Sequence, residues 1–235
     1  MARAYDKNKT LLQVSGLTKV YPGVQPVYAI RDINLSVNEG EFLAVIGPSG
    51  SGKSTFMNVL GLLDRASEGM LKYHNEDTQG WDEKRKSLFR NQEIGFIFQA
   101  HMLLPEFTAL ENVLIPSRIG GTYGKQAIEN AHAILSRIGL ADRTHHKPSE
   151  LSGGQNQRVA IARALVNNPR IVFADEPTGA LDSKTSESVY ELMREINAED
   201  GVTFMIVTHE KALAVKTDRI VTLLDGKIQS DEKQN

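Results

Sequence analysis

Ile33, Leu35 and Val37 alternate with polar neighbours, the period of two that a half-buried strand requires. Asn38-Glu39-Gly40 supplies a turn, and residues 41–46 form a more uniformly apolar second strand. After the glycine-rich residues 47–52, the pattern predicts a helix over 53–63, and residues 70–73 and 94–98 return to strand composition.

The middle of the chain changes period. Thr108-Ala-Leu-Glu111 is a capping-box pattern, so a helix is expected to begin there. From Lys125 onward, Ile128, Ala131, Leu135 and Ile138 share one helical face, and Gly139 stands where a left-handed C-terminal residue is wanted. Residues from about 100 to 160 therefore read as a mostly helical lobe. Alternation then resumes, with a strand at 171–174, a helix whose Val189, Leu192, Met193 and Ile196 share a face, and a strand at 203–207. Short apolar strands between amphipathic helices imply a parallel sheet. Residues 219–224 and 227–229 flank Asp225-Gly226 as a closing hairpin, and the polar residues 230–235 are expected to fray. No internal repeat or low-complexity segment interrupts this order.

With 235 residues, 40% hydrophobic and 24% charged, the chain is large enough for a real core. Lys and Arg number 27 against 29 for Asp and Glu, and a net charge of -2 provides no field for a nucleic-acid backbone. No nucleic-acid partner is expected. There is no cysteine, so a disulfide framework is excluded and the cytosol is the default compartment. Residues 1–10 are polar and lack the apolar core of a secretory signal. The most apolar runs, 42–46, 171–174 and 204–207, are of strand length, so any work at a membrane needs a partner to bring the chain there.

Gly47-Pro48-Ser49-Gly50-Ser51-Gly52-Lys53-Ser54-Thr55 fits the phosphate-loop pattern and sits between a predicted strand and a predicted helix. Successive backbone amides and the positive end of the helix can face a phosphate there. Lys53 would reach the terminal phosphates and the Ser54 hydroxyl would hold magnesium. Asp175 and Glu176 lie at the C-terminal end of a buried strand, where open α/β sheets keep their ligands. Asp175 suits the magnesium shell, and Glu176 is placed to polarise an attacking water.

Other residues leave two readings open. Gln99 is either a polar strand end or an element that touches the magnesium shell while moving with the helical lobe. Tyr21 either stacks on an adenine ring or merely closes a strand. His209 is either a solvated histidine or a donor to a γ-phosphate, whereas His74, His101, His132, His145 and His146 read as structural. Ser152, Gly153, Gly154 and Gln155 open a helix whose apolar face runs through Val159, Ala162, Leu165 and Val166. They form either a plain serine-capped turn or a second anion site. One chain has no obvious need for two such sites on one nucleotide.

Taken in order, Tyr21, residues 47–54, Gln99, Leu151-Ser-Gly-Gly-Gln155, Asp175-Glu176, Gly179-Ala-Leu-Asp182 and His209 resemble the motif set of the ATP-binding cassette (ABC) ATPases. The resemblance implies an α/β fold: a P-loop NTPase (RecA-like) core with an N-terminal antiparallel β subdomain and an inserted α-helical subdomain. It implies one domain over residues 11–229, with the core at about 11–98 and 160–229, the helical subdomain at about 99–159, and polar termini at 1–10 and 230–235. It also implies ATP and Mg2+ as ligands, catalytic roles for Lys53, Gln99, Glu176 and His209, and a head-to-tail pair of chains. In that pair Ser152 to Gln155 of one copy close over ATP on the phosphate loop of the other, with Asp182 at the interface.

Within the family, the segments 103–113, 146–154 and 174–182 look most like the lipoprotein-releasing and macrolide-export ATPases. Those relatives pair with integral membrane permease subunits at the cytoplasmic face of the inner membrane. Met102, Leu103, Leu104 and Phe107 then either line a groove for that partner or belong to the core of the helical lobe. Two small departures remain. Asn156 stands where Gln or Glu is more usual and Gly179 where many relatives have Ser or Asn, and since neither removes a charged or phosphate-contacting group, full activity is expected. The competing class, a soluble ABC ATPase acting on DNA or ribosomes, carries a long coiled-coil insertion or two cassettes per chain, and neither is seen here. A cassette of another exporter or importer subgroup is a further alternative.

Overall fold

The computed structural model describes residues 5–234, so the extreme ends of the expected polar termini lie outside the described residues. In chain order the elements are β1 (Thr10–Tyr21), β2 (Val27–Asn38), β3 (Phe42–Ile46), α1 (Lys53–Leu60), β4 (Glu68–Tyr73), β5 (Glu76–Asp77) and α2 (Glu83–Glu93). They continue as β6 (Ile94–Phe98), α3 (Ala109–Ile119), α4 (Lys125–Arg137), α5 (Gly153–Leu165), β7 (Ile171–Asp175) and α6 (Ser183–Asp200). Last come β8 (Thr203–Thr208), α7 (Lys211–Ala214), β9 (Arg219–Leu224) and β10 (Lys227–Lys233).

Alternation and uniformity sort the strands into two sheets. The alternating strand β2 joins an antiparallel sheet in the order β2-β1-β4-β5, whereas the uniformly apolar strands β3, β7 and β8 lie at the centre of the six-stranded sheet β10-β9-β3-β8-β7-β6, whose β10 edge is polar. In the latter β3, β8, β7, β6 and β9 pair in parallel. Helices cover both faces, so Leu43, Ala44, Val172, Phe173 and Met205 have essentially no exposure. Each large apolar side chain buried this way stabilises the fold by about 1.5–3 kcal/mol.

The helical lobe follows from its caps and stripes. Thr108 and Glu111 form the expected capping box at the start of α3. Ala131, Leu135 and Ile138 are buried in one core cluster with Val113 and Val159. Gly139 has φ 76°, which closes α4 as anticipated. α5 lies against β6 at Gly95, where an added Cβ would stand 2.6 Å from the Ala164 carbonyl oxygen. Gly95→Ala should therefore cost about 1–3 kcal/mol through overpacking. Urea unfolding would register this as a lower midpoint at constant m-value, and an unchanged midpoint would show that α5 has room to retreat.

Two expectations need correction. The helix predicted over 53–63 ends at Leu60, because Gly61 caps it and Leu62 turns left-handed at φ 57°. The tail from 230 is not frayed, since β10 stays paired with β9 as far as Lys233 opposite Arg219. Arg219 holds that edge with a two-pronged bond to Asp231, both contacts at 2.6 Å. The periodicity does not predict α2: it buries no residue fully, only Phe89 packs beside Tyr73 and Trp81, and its N-terminus rests on the Asp82 side chain accepting from the Arg85 amide.

Candidate functional site

Residues 47–55 join the end of β3 to the start of α1, and their path is tight. Gly52 has φ 99°, and a Cβ there would meet the Ala29 carbonyl oxygen at 2.2 Å. A side chain would both strain the backbone and drive the loop off β2. Gly50 turns at φ 78° with open space before it, leaving its amide approachable. Lys53 is buried, and its Nζ donates to the carbonyls of Gly47 at 2.8 Å and Pro48 at 3.0 Å. The ammonium is thus held within the curve of the loop. Ser51 Oγ is buried beside it with no hydrogen-bond partner.

Ser49, Gly50, Gly52, Lys53, Ser54 and Thr55 line a cleft of about 680 Å³ with Asp175, Glu176 and His209 on the far side. The strand ends make this convergence: β3, β7 and β8 are adjacent and parallel, so the loops after their C-termini meet at one edge. The Ser54 hydroxyl donates to the Asp175 carboxylate, whose pKa burial raises despite that bond. These are hard oxygen donors suited to a divalent cation, yet among the described residues no group of three or more metal-ligating side chains exists. A cation there would need oxygens from a bound phosphate to complete its shell.

Glu176 sits in a left-handed conformation, φ 46°, with its amide donating to the Val207 carbonyl at 2.8 Å. His209 Nδ1 lies 2.8 Å from Glu176 Oε1, and Thr208 Oγ1 approaches Glu176 Oε2 at 3.4 Å. The hydrogen bond to Glu176 raises the His209 pKa above its ordinary value of 6.5. A raised folded-state pKa means that the pair contributes stability below pH 6.5 and loses it as pH climbs through the folded midpoint. The ring is exposed, so that contribution is small. In an NMR titration His209 should show a midpoint above 6.5, falling back in Glu176→Gln; a midpoint unmoved by that substitution would remove Glu176 as the cause.

The other sequence-predicted residues stand outside this cleft's lining. Gln99 packs on the loop after β7, where a Cβ on Gly179 would meet its Nε2 at 2.8 Å. Tyr21 donates from its hydroxyl to Asp64 Oδ2 at 2.9 Å, with Lys19 Nζ 4.8 Å from its ring centre. Tyr28, which the sequence reading passed over, lines the cleft together with Val27 and Ala29, and the Arg31 guanidinium lies 4.9 Å from its ring. Tyr28 is exposed at the start of β2, beside the glycine loop, and nothing in the local sequence pattern marks it out.

Ser152 caps α5, accepting from the Gln155 amide at 3.3 Å while its own amide donates to Gln155 Oε1 at 2.9 Å. Gly153 and Gly154 meet the start of α6, with Leu181 and Thr185 nearest to the positions their Cβ atoms would take. Asp182 caps α6, bonding the amides of Lys184 and Thr185 at 3.1 Å. Asn156 reaches back to the Pro148 carbonyl at 3.0 Å and so fastens the turn that precedes Ser152. One chain thus presents a phosphate-loop cleft and, separately, an exposed helix N-terminus.

The family model for the ABC transporter matches residues 30–179. The lipoprotein-releasing system ATP-binding protein LolD of Bacteroides thetaiotaomicron is 46% identical over 221 residues, covering 94% of this chain and 100% of the relative. The protein of the same name from Geobacter metallireducens is 48% identical over 223 residues, 94% of this chain and 99% of the relative. Among solved structures, a dimeric ATP-binding cassette in a post-hydrolysis state, bound to ADP and Pi, superposes with a TM-score of 0.87 at 43% identity, covering 96% of this chain and 99% of that one. The chain belongs to the ABC transporter family as one of its ATP-hydrolysing, nucleotide-binding cassettes.

Proposed function

We propose that this chain powers lipoprotein release through an integral membrane permease partner, using ATP-driven closure of two copies head to tail. The observation that carries the reading is the separation within one chain of the phosphate-loop cleft from the exposed N-terminus of α5. A second copy supplies the missing wall. The dimeric cassette bound to ADP and Pi and the lipoprotein-releasing relatives support this reading. Residues 11–229 are then one domain, with the parallel-sheet core at about 11–98 and 160–229 and the helical subdomain at about 99–159.

Residues 47–55 grip the phosphates through backbone amides and Lys53, placing the terminal phosphate before Glu176. Ser54 and Asp175 would hold Mg2+ against the phosphates, with Gln99 entering its shell when the helical lobe swings inward. Bound magnesium supplies charge neutralisation on the phosphate oxygens. Glu176 polarises the attacking water, and His209, braced on Glu176, donates toward the terminal phosphate. Tyr21 provides the adenine face once it turns from Asp64, and Ser152, Gly153, Gly154, Gln155 and Asp182 act across the interface on the partner copy's nucleotide.

Among the described residues no helix is long and apolar enough to cross a membrane. The permease therefore holds the chain at the cytoplasmic face of the inner membrane, and nucleic acid has no part. Purification of the chain from gently solubilised membranes, with identification of what accompanies it, tests the reading. A permease with a periplasmic domain is expected, and soluble partners alone would overturn it.

A further inference from the structure

Between Gln99 and α3 the chain makes a turn that its own sequence does not favour. His101 and Met102 are both left-handed, with φ 58° and 50°, a conformation that costs a residue with a Cβ about 1–2 kcal/mol. Tight backbone bonds close the turn, from the His101 amide to the Phe98 carbonyl at 3.1 Å and from the Met102 amide to the Ala100 carbonyl at 2.6 Å.

What offsets the cost comes from α5. Arg163 donates from Nη1 to the Met102 carbonyl at 2.5 Å and from Nη2 to the His101 carbonyl at 2.7 Å. Successive carbonyls point to opposite sides in an extended strand and to the same side when both residues are left-handed. A planar guanidinium fork therefore recognises this one conformation. Partial burial lowers the Arg163 pKa, and the bonds to these two carbonyls are what satisfy the cation.

A second clamp fixes the rest of the loop. Asn112, wholly buried on α3, accepts from the Leu104 amide at 2.8 Å and donates to the carbonyls of Leu104 and Phe107, both at 3.1 Å. Met102 and Leu104 are left facing solvent at 58% and 45% exposure, while Leu103 packs on the core, which divides the apolar stretch between the two roles left open by the sequence.

We propose that Arg163 is a positioning residue that locks the Gln99 loop to α5, the helix that Ser152 caps. Any movement of α5 as a second copy docks on residues 152–155 is passed directly to Gln99 and to the exposed Met102 and Leu104. Through this side chain, beside the Asn112 clamp on α3, closure at the nucleotide reaches both the cleft and the membrane-partner surface. The proposal deepens the functional reading above and rests on it.

The test compares Arg163→Met and Arg163→Lys with Arg158→Lys. Arg158 is a control on the same helix, donating to the Ile138 carbonyl at 2.9 Å and Ser188 Oγ at 2.8 Å, away from Gln99. Arg163→Met should lower kcat for ATP at least about ten-fold with KM and ATP affinity within about two-fold. Arg163→Lys, which reaches one carbonyl and not two, should fall in between. Arg158→Lys should keep kcat within about two-fold even where its melting temperature drops as far. Loss of kcat in step with melting temperature in all three variants would make Arg163 merely structural and overturn the proposal, as would wild-type kcat in Arg163→Met. If the methionine variant does not fold, the two lysine variants decide by the same criteria. A wild-type chain without ATP turnover would sink the functional reading and the proposal together, whereas wild-type turnover beside an unaffected Arg163→Met sinks the proposal alone.

Discussion

Glu176→Gln is expected to lower ATP turnover by about 10²–10⁴-fold, the usual contribution of a positioned base, while ATP binding survives. The substitution keeps the size of the side chain and one carbonyl acceptor. What it removes is the negative charge that braces His209 at 2.8 Å and that, in the proposed role, draws a proton from water. The left-handed backbone at residue 176 is held by the bond to the Val207 carbonyl, which the substitution leaves in place. With binding intact and hydrolysis stopped, ATP and magnesium should accumulate a dimer on size exclusion. A persistent monomer carrying ATP would count against a shared site, and turnover near wild type would remove Glu176 as the base.

Ser152→Arg should abolish hydrolysis and leave ATP binding to the monomer nearly unchanged. Ser152 is exposed at the tip of α5 and absent from the lining of its own chain's cleft, so a long cation there has nothing to disturb in the isolated chain. Loss of the cap costs about 1 kcal/mol, too little to unfold a domain of this size. In the proposed head-to-tail pair the same arginine would stand where the partner's nucleotide meets bare amides, and closure should fail. Fluorescent-nucleotide binding beside phosphate release separates the two effects. If monomer binding fell as far as hydrolysis, residues 152–155 would be acting within their own chain.

Elements with a strong period were legible in advance. The alternating 33–37, the uniform 42–46, the capping box at 108–111 and the stripe through Ala131, Leu135 and Ile138 all appear where their patterns placed them. The misses have a shared cause. α2 offers the core little beyond Phe89, and β10 runs on as a polar edge held by Arg219 and Asp231, so neither leaves a clear hydrophobic period.

At the site, spacing alone identified residues 47–55 and Asp175-Glu176, because a phosphate loop needs its glycines, lysine and hydroxyl in one short run of backbone. The side-chain pairings were not written there. That His209 meets Glu176, that Asp182 is engaged as a cap, that Tyr28 lines the cleft while Tyr21 leans on Asp64, and that Arg163 grips His101 and Met102 are contacts across 33, 3, 43 and about 60 residues or within a single turn. Local chemistry and periodicity are properties of neighbouring residues, so the chain alone determined its sheets, its helical lobe and its phosphate loop. Which distant side chains share a proton, a carbonyl or a cleft wall depends on how those elements pack, and only the tertiary structure decided that.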